Sequence, residues 1–426
     1  MTRSDDDVAW VRARCEYYCE HLRDDVLSWW LTNAVDHEFG GVFTFWDQSD
    51  GTMASTDKYV WSQGRWAWSL CALVPLAQAG QLGAVTSCDL IDLARRTMTM
   101  LNDGAILADG TCANFVTRDG RPTTGFTGPR LHCSVFADLF VALGNAGLAR
   151  HDDNPRWATV AEDLLTSAAR RIARGTALSE PYPVRSGLVG FAPWMILCNT
   201  ATEVYRATGS KESAGIAAAA VEMIIERFMA TSDVAELAVA DPGLADTVEA
   251  RHRNPGHVLE CLWFLADAAI AVPEVAGRWG PELDARLVEA LDFAASRGWD
   301  TEHGGLHRYV DVNGGRPSGR RLGGAYEHVV LDTWSRKLWW PHNDGLYAAL
   351  LLWSRTNSTV ALEWARRLDE YAFSRFPVGP GAEWNQILTR EGTPRPASST
   401  DLLPVKDPFH LIRSLLLSAE LGRNLT

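Results

Sequence analysis

Residues 254–271 read NPGHVLECLWFLADAAIA, and this stretch decides the fold. Pro255 and Gly256 make a good helix start, because proline's missing N–H costs nothing in a first turn. Beyond Glu260 the segment turns almost wholly apolar. A helix that is hydrophobic all round must be enclosed by other elements. Its first turn nevertheless carries His257 and Glu260, three residues apart and therefore on one face. An ionisable pair at the head of so apolar a helix is either a satisfied structural contact or part of a site.

Helical periodicity recurs along the whole chain. The pattern predicts about twelve helices, near 6–34, 62–79, 87–102, 131–149, 155–173, 190–207, 211–229, 256–271, 281–297, 342–355, 358–374 and 408–421. Several have clear starts, such as Asp-Asn-Pro at 153–155 and Thr-Ser at 86–87. Twelve helices over 426 residues give six pairs of about 71 residues each.

The linkers repeat as well. DHEFGGVFTFWDQSDG at 36–51 and DTEHGGLHRYVDVNG at 300–314 share D-x-x-x-G-G and a second Asp six residues after the second Gly. Shorter relatives are ANFVTRDG at 113–120 and EWNQILTREG at 383–392. Each joins an aromatic-containing strand to a turn ending in Gly, the pattern of a small β-hairpin. The links near 184–190 and 245–255 lack it. Repeats of this period bury their cores against neighbours. Six helical hairpins closing on themselves form an all-α (α/α)6 toroid, with inner helices apolar all round and outer ones amphipathic. No linker is long or polar enough to divide the chain, so residues 1–426 are expected to form a single domain.

Composition narrows the function. The chain is 46% hydrophobic and 22% charged, ordinary for a soluble globular protein. A formal net charge of −13 gives no reason to bind nucleic acid or an anionic membrane. The N-terminus lacks a signal-peptide pattern, and no apolar run is long enough to span a bilayer. The eight scattered cysteines read as reduced core thiols of a cytosolic protein. Phosphate-binding glycine loops, a zinc-protease helix and a nucleophile elbow are missing, and HGGLH at 303–307 reads as turn chemistry rather than a metal site.

Three segments put polar groups at the start of apolar helices: KYVWSQGRWAW (58–68), NPGHVLECLW (254–263) and KDPFHLIRSLLL (406–417). KLWWPHNDGLYAALLLW (337–353) is a fourth. In the toroid the inner helices run parallel, so these starts surround one mouth. That arrangement directs Arg65, His257, Glu260, Asp344, His410 and Arg413 toward one cavity. The positive helix ends there favour anionic intermediates and keep imidazoles neutral. A lone His257 is ordinarily a structural histidine. His410, with Arg413 one turn later, repeats the design in another unit, and the recurrence favours a site. Asp344 also fits a plain helix-end carboxylate, and Arg65 a surface arginine lying over tryptophans. Trp61, Trp340 and Trp384 adjoin the polar clusters, where flat indoles can stack on the C–H faces of a sugar.

Together these segments resemble the N-acylglucosamine 2-epimerase superfamily, (α/α)6 barrels that epimerise or isomerise aldoses at C2. The resemblance runs from DHEFGGVFTFWDQSDG to KDPFHLIR, with the motifs in the family's order. It implies that His257 and His410 are acid–base histidines and that Glu260 is the carboxylate beside the first. It further implies that Arg65 and Arg413 bind substrate and that Trp340 stacks on it; His132, Asp344 and Lys406 join this substrate-binding set. The family usually has Glu where Asp344 stands, and many relatives have Tyr where His132 stands. Ala192, Trp194 and Ile196 replace an Asn and histidines usual in the cellobiose epimerase and mannose isomerase branches, which brings the N-acylglucosamine branch closer. Val405 stands where some disaccharide-acting relatives have Trp.

The expected function is therefore cofactor- and metal-independent proton transfer at C2 of an open-chain aldose, by two histidines through an enediolate. The partner is a small sugar, and a homodimer is compatible. An aldose–ketose isomerase needs the same groups. A glycoside hydrolase would use Glu260 and Asp344 as its carboxylate pair. A silent sugar- or protein-binding relative would keep the fold without turnover.

Overall fold

The computed structural model describes residues 4–46, 51–125, 128–394 and 405–425. Asp47, the second aspartate of the first linker, lies outside them. Six helices form the inner ring: Val60–Ala72, Val135–Ala149, Phe191–Thr208, Pro255–Ala271, Trp339–Thr356 and His410–Arg423. Each contacts the next in order, and the last returns to the first. The outer partners are Ser87–Gly104, Arg156–Ala173, Lys211–Met223, Pro273–Gly298 and Thr359–Arg375. The sixth is the N-terminal helix Asp5–His21, which runs through a π-helical turn at Leu22–Leu27 into Ser28–Asn33. It packs on His410–Arg423, so the two ends of the chain close the ring together. The fold is an (α/α)6 toroid.

Sequence explains which helix is inside. In Pro255–Ala271 the residues from Val258 to Ala266 are all buried, whereas Arg156–Ala173 buries one stripe that includes Trp157, Ala161, Leu164, Leu165, Ala168 and Ile172. The enclosed helix has no polar face to offer solvent; the striped one does. No described helix is long and apolar enough to cross a membrane. All eight cysteines are free, and seven are buried as expected; Cys88 is exposed on the outer helix Ser87–Gly104.

Four inner helices are each preceded by a short strand that pairs antiparallel with a strand beyond the outer partner. These pairings are Lys58–Tyr59 with Phe115–Val116, Leu188–Gly190 with Leu237–Val239, His252–Arg253 with Val310–Asp311, and Lys337–Leu338 with Ile387–Leu388. The other two units are closed by single bridges, Ser134 to Ser179 and Phe45 to Val405. Each strand pair fixes where its inner helix begins, and so holds the helix N-termini around one mouth.

Boundaries differ from pattern reading where local chemistry breaks a helix. The stretch 62–79 is two helices, Val60–Ala72 and Val74–Gln78, with Pro75 in the first turn of the second. The 281–297 helix begins earlier, at Pro273, and is broken at Gly280, whose φ of 45° is followed by Pro281. Ala325–Thr333 is a further helix within a linker, with Glu327 accepting from the Leu322 N–H at 2.6 Å.

The repeated linkers form two copies of one module. Asp36 accepts from Lys58 Nζ at 2.9 Å and from Arg118 Nε at 3.0 Å. Asp300 accepts from Lys337 Nζ at 3.1 Å and from Arg390 Nε at 2.8 Å. The D-x-x-x-G-G segments thus supply the aspartates, and TRDG and TREG the arginines. Both lysines are fully buried at the base of inner helices. The glycine pairs take positive φ, 81° and 82° at Gly40 and Gly41, 73° and 71° at Gly304 and Gly305, which side chains resist. Next, the Gln63 carbonyl oxygen accepts from the Val42 N–H at 2.7 Å, while His342 Nε2 accepts from the Leu306 N–H at 2.8 Å. The two modules therefore present Trp61 and Trp340 from the same position.

Candidate active site

A cavity of about 250 Å³ opens where the inner helices begin. Trp61, Arg65, His257, Glu260, Trp340 and His410 line it. Both histidines stand in the first turn of an inner helix, positioned by a side-chain cap. The Asn254 side chain accepts from the His257 N–H at 3.3 Å, and Asp407 accepts from the His410 N–H at 2.8 Å. The Trp340 ring lies 5.5 Å from the His257 ring and 5.3 Å from the His410 ring, touching both.

Each imidazole is held through Nδ1 by a carboxylate. His257 Nδ1 donates to Glu236, 2.9 Å from Oε1. His410 Nδ1 donates to Asp344 Oδ2 at 2.7 Å. A protonated Nδ1 leaves Nε2 of the neutral ring as the lone-pair atom. The two environments then diverge. At His410, burial is the largest effect and pushes the imidazole down to about 3; Asp407 and Glu260 oppose it, and the charges of Arg65 and Arg413 reinforce it. At His257 burial also lowers the value, but the charge and hydrogen bond of Glu236, with help from Glu260, outweigh it and the net shift is upward.

Beneath His410 lies a buried ionic cluster. Arg413 Nη2 donates to Asp344 Oδ1 at 2.7 Å and also to Glu260 Oε1. Trp263 Nε1 donates to the same Asp344 oxygen at 3.3 Å. Arg413 is 1% exposed and Asp344 is fully buried. Glu260, Asp344 and His410 bring ligand atoms within 4.8 Å of one another, the spacing of a metal site. Arg413 already bonds both carboxylates and supplies the compensating positive charge, so the trio fits a metal poorly.

Several expected placements change. Asp344 and Arg413 do not line the cavity; they form a layer below it and reach the site through His410 and Glu260. Glu260 was expected to orient His257, but Glu236 holds that ring and Glu260 pairs with Arg413. Trp384 cannot stack on a ligand. It is fully buried, donates from Nε1 to His21 Nε2 at 2.7 Å, and stacks on Phe376, because it follows an outer helix and packs behind the ring. Lys406 also lies outside the lining, 3.4 Å from Glu383 and over the Trp29 ring. His132 faces Cys112 O at 2.9 Å and accepts from Arg171 Nη1 at 3.2 Å, tied into the Asp138 cluster instead of the cavity.

Arg65 does enter the cavity, 9% exposed, with its guanidinium 4.0 Å from the Phe140 ring centroid and 3.6 Å from Asp407. Its Nε is buried without a partner among the described residues. Ala192, Ile196 and Val405 line the cavity as well. Pattern reading did not single out Glu236, Asp407 or Arg308. Glu236 had one sequence signal: it is the lone carboxylate in the apolar run VAELAVA, 234–240.

The family profile of N-acylglucosamine 2-epimerase (GlcNAc 2-epimerase) matches residues 41–413. The bovine (Bos taurus) N-acylglucosamine 2-epimerase is 29% identical over 412 residues, covering 94% of this chain and 90% of the relative. The human (Homo sapiens) protein of that name is 28% identical, covering 93% and 88%. Among solved structures, cellobiose 2-epimerase from Bacillus thermoamylovorans superposes with a TM-score of 0.73 at 15% identity, over 96% of this chain and 99% of its own. With the profile matching most of its length, the chain belongs to the N-acylglucosamine 2-epimerase family.

Proposed function

We propose that this chain is a carbohydrate isomerase that epimerises an open-chain aldose at C2, with residues 1–426 acting as one catalytic unit. One observation carries the reading: two imidazoles share a cavity, each oriented by a carboxylate, and their proton affinities are pushed in opposite directions. Such divergence is how a pair of like groups divides into base and acid. His410, neutral at pH 7, takes the proton from C2. The electron pair passes into the C1 carbonyl and leaves an enediolate. Arg65, lining the cavity with an unfilled donor, stabilises that charge where water is excluded. His257, biased toward its protonated form by Glu236, returns a proton to C2 from the other face, and the configuration inverts. In the reverse direction the histidines exchange roles.

The same groups would make a ketose if the proton returned to C1, so the product distinguishes epimerase from aldose–ketose isomerase. The hydrolase reading is weaker. A glycosidase needs two carboxyl groups flanking the bond, one of them protonated. Glu260 and Asp344 instead converge on one nitrogen of Arg413, and Asp344 does not line the cavity, so the two do not flank a bond held there. The test is incubation of aldoses and N-acylhexosamines in deuterated water with NMR detection at C2. Deuterium at C2 with appearance of the epimer supports the proposal. Sugar binding with no exchange on any member would leave a silent binding protein.

A further inference from the structure

The arginines around the cavity are matched by carboxylates, with one departure. Arg413 faces Glu260 and Asp344, Arg65 faces Asp407, Arg253 pairs with Asp233 at 2.8 Å, and Arg185 pairs with Glu249 at 2.9 Å. Arg308, which lines the cavity, has no carboxylate partner among the described residues. Its Nη1 donates to Thr333 Oγ1 at 3.1 Å and its Nη2 to Tyr182 OH at 3.3 Å, and its guanidinium lies over the Tyr309 ring. Guanidinium carries five N–H donors, and Thr333, Tyr182 and Tyr309 do not use all of them. Because Tyr182 accepts from Arg308, its own O–H is free to donate in turn. Burial works against the Arg308 cation, and Tyr309 and Tyr182 outweigh it; neither is a carboxylate, so an incoming anion meets no resident carboxylate to displace.

Arg308 also sits at a definite end of the site. Its charge bears on His257, where it opposes protonation, whereas the arginines that bear on His410 are Arg65 and Arg413. Arg308 therefore lies on the His257 flank of the cavity.

We propose that Arg308, with the hydroxyl of Tyr182, forms an anion subsite of this cavity. The preferred sugar then carries an oxyanion substituent (phosphate, sulfate or carboxylate) on a carbon that does not react. This rests on the epimerase reading for the word sugar, and not for the anion. Guanidinium pairs with planar or tetrahedral oxyanions through parallel N–H bonds, which a hydroxyl cannot match.

The experiment measures binding by calorimetry for N-acetylglucosamine, its 6-phosphate, its 6-sulfate and glucuronate, with the full chain and with Arg308→Met and Arg308→Lys. In the parent, at least one anionic sugar is expected to bind tenfold to a hundredfold tighter than the neutral one, as a charged hydrogen bond requires. Arg308→Met should collapse that ratio and Arg308→Lys should keep part of it. Which anion leads identifies the substituent. Equal binding of neutral and anionic sugars by the parent overturns the proposal without any variant, as does a ratio that survives Arg308→Met or an absence of binding by every anionic sugar. C2 deuteration of the same sugars is read separately. Its failure would sink the epimerase reading and leave the binding ratio to judge Arg308.

Discussion

Arg65 and Asp344 hold the same place in two copies of one module, each seven residues beyond a fully buried lysine, Lys58 or Lys337. The repeat equates their backbones but not their tasks. Arg65 enters the cavity, whereas Asp344 turns under His410 and Arg413. One copy of the module thus directs a charge into the cavity, and the other fixes the His410 ring. Asp344→Asn should accordingly lower kcat by about 10²-fold or more and leave KM nearly unchanged, since an amide can present the wrong partner to Nδ1 and spoil the tautomer. Steady-state kinetics decide. A loss confined to KM would place Asp344 on the sugar.

The two histidines should not fail alike. His410→Ala removes the group that is neutral throughout the working range, and turnover should fall about 10² to 10⁴-fold. His257→Ala should lose a comparable factor, with C2 deuteration reduced in both. Circular dichroism should show both folded, because each ring lines the cavity. Near-parental exchange in either variant would sink the two-base mechanism.

Under the proposed mechanism Glu236 should set the alkaline limit. The pKa of His257 is raised, so its protonated form persists to higher pH and the acid is lost as pH rises through that value. In Glu236→Gln the raising charge is gone and burial, which lowers the value, remains. The basic limb of the kcat profile should shift to lower pH. An unmoved limb would mean that some other group sets it. The acid limb should stay put, because His410 is already held to about 3.

Acid should loosen the modules before the core. Burial alone would raise the Asp36 carboxyl, yet Arg118, Lys58 and the Phe39 N–H together hold it at about 2, below its ordinary 3.8. A depressed carboxylate gives stability that is complete above about pH 4 and is lost as pH falls toward about 2. The contribution is on the order of 2 kcal/mol. Urea unfolding of parent and Asp36→Asn across this window should show the parent losing stability more steeply. The variant should also be weaker at neutral pH by about 3–5 kcal/mol, because Lys58 is left buried without its anion. Parallel curves would show that Asp36 titrates as it does in the unfolded chain.

The ring was legible because enclosure leaves a mark on every residue of an inner helix: Val258 to Ala266 has no face to show water. The histidines were legible because a Pro-Gly start and a repeated His-x-x-Arg or His-x-x-Glu pattern are local features. What pairs with them is not local. Glu236 reaches His257 from 21 positions away, just before the return strand of the preceding unit, and Asp344 reaches His410 across 66. Such contacts are set by ring closure and helix rotation, which no spacing encodes. Trp384 misled for the same reason. An aromatic beside a polar cluster in sequence can turn to either side of the chain, and this one faces His21.

Gly256 and Trp340 meet in close contact at the cavity. A Cβ on Gly256 would come within 2.6 Å of the Trp340 ring and 2.8 Å of Pro341 Cγ. Trp340 packs beside the rings of both His257 and His410, so displacing it disturbs the surface against which both are held. Gly256 has ordinary helical backbone, so alanine brings no strain of its own and even gains helix propensity. The whole effect then comes from overpacking, about 1–3 kcal/mol. Gly256→Ala should fold with a lowered melting temperature and lose kcat/KM out of proportion to that loss of stability, because a shift near 1 Å can cost about 10²-fold in rate. Trp340→Phe in the same background shortens the ring that is struck, and should recover stability while activity stays low. If Gly256→Ala keeps parental kcat/KM, the Trp340 indole is free to give way, and its contact with the two histidines does not position them.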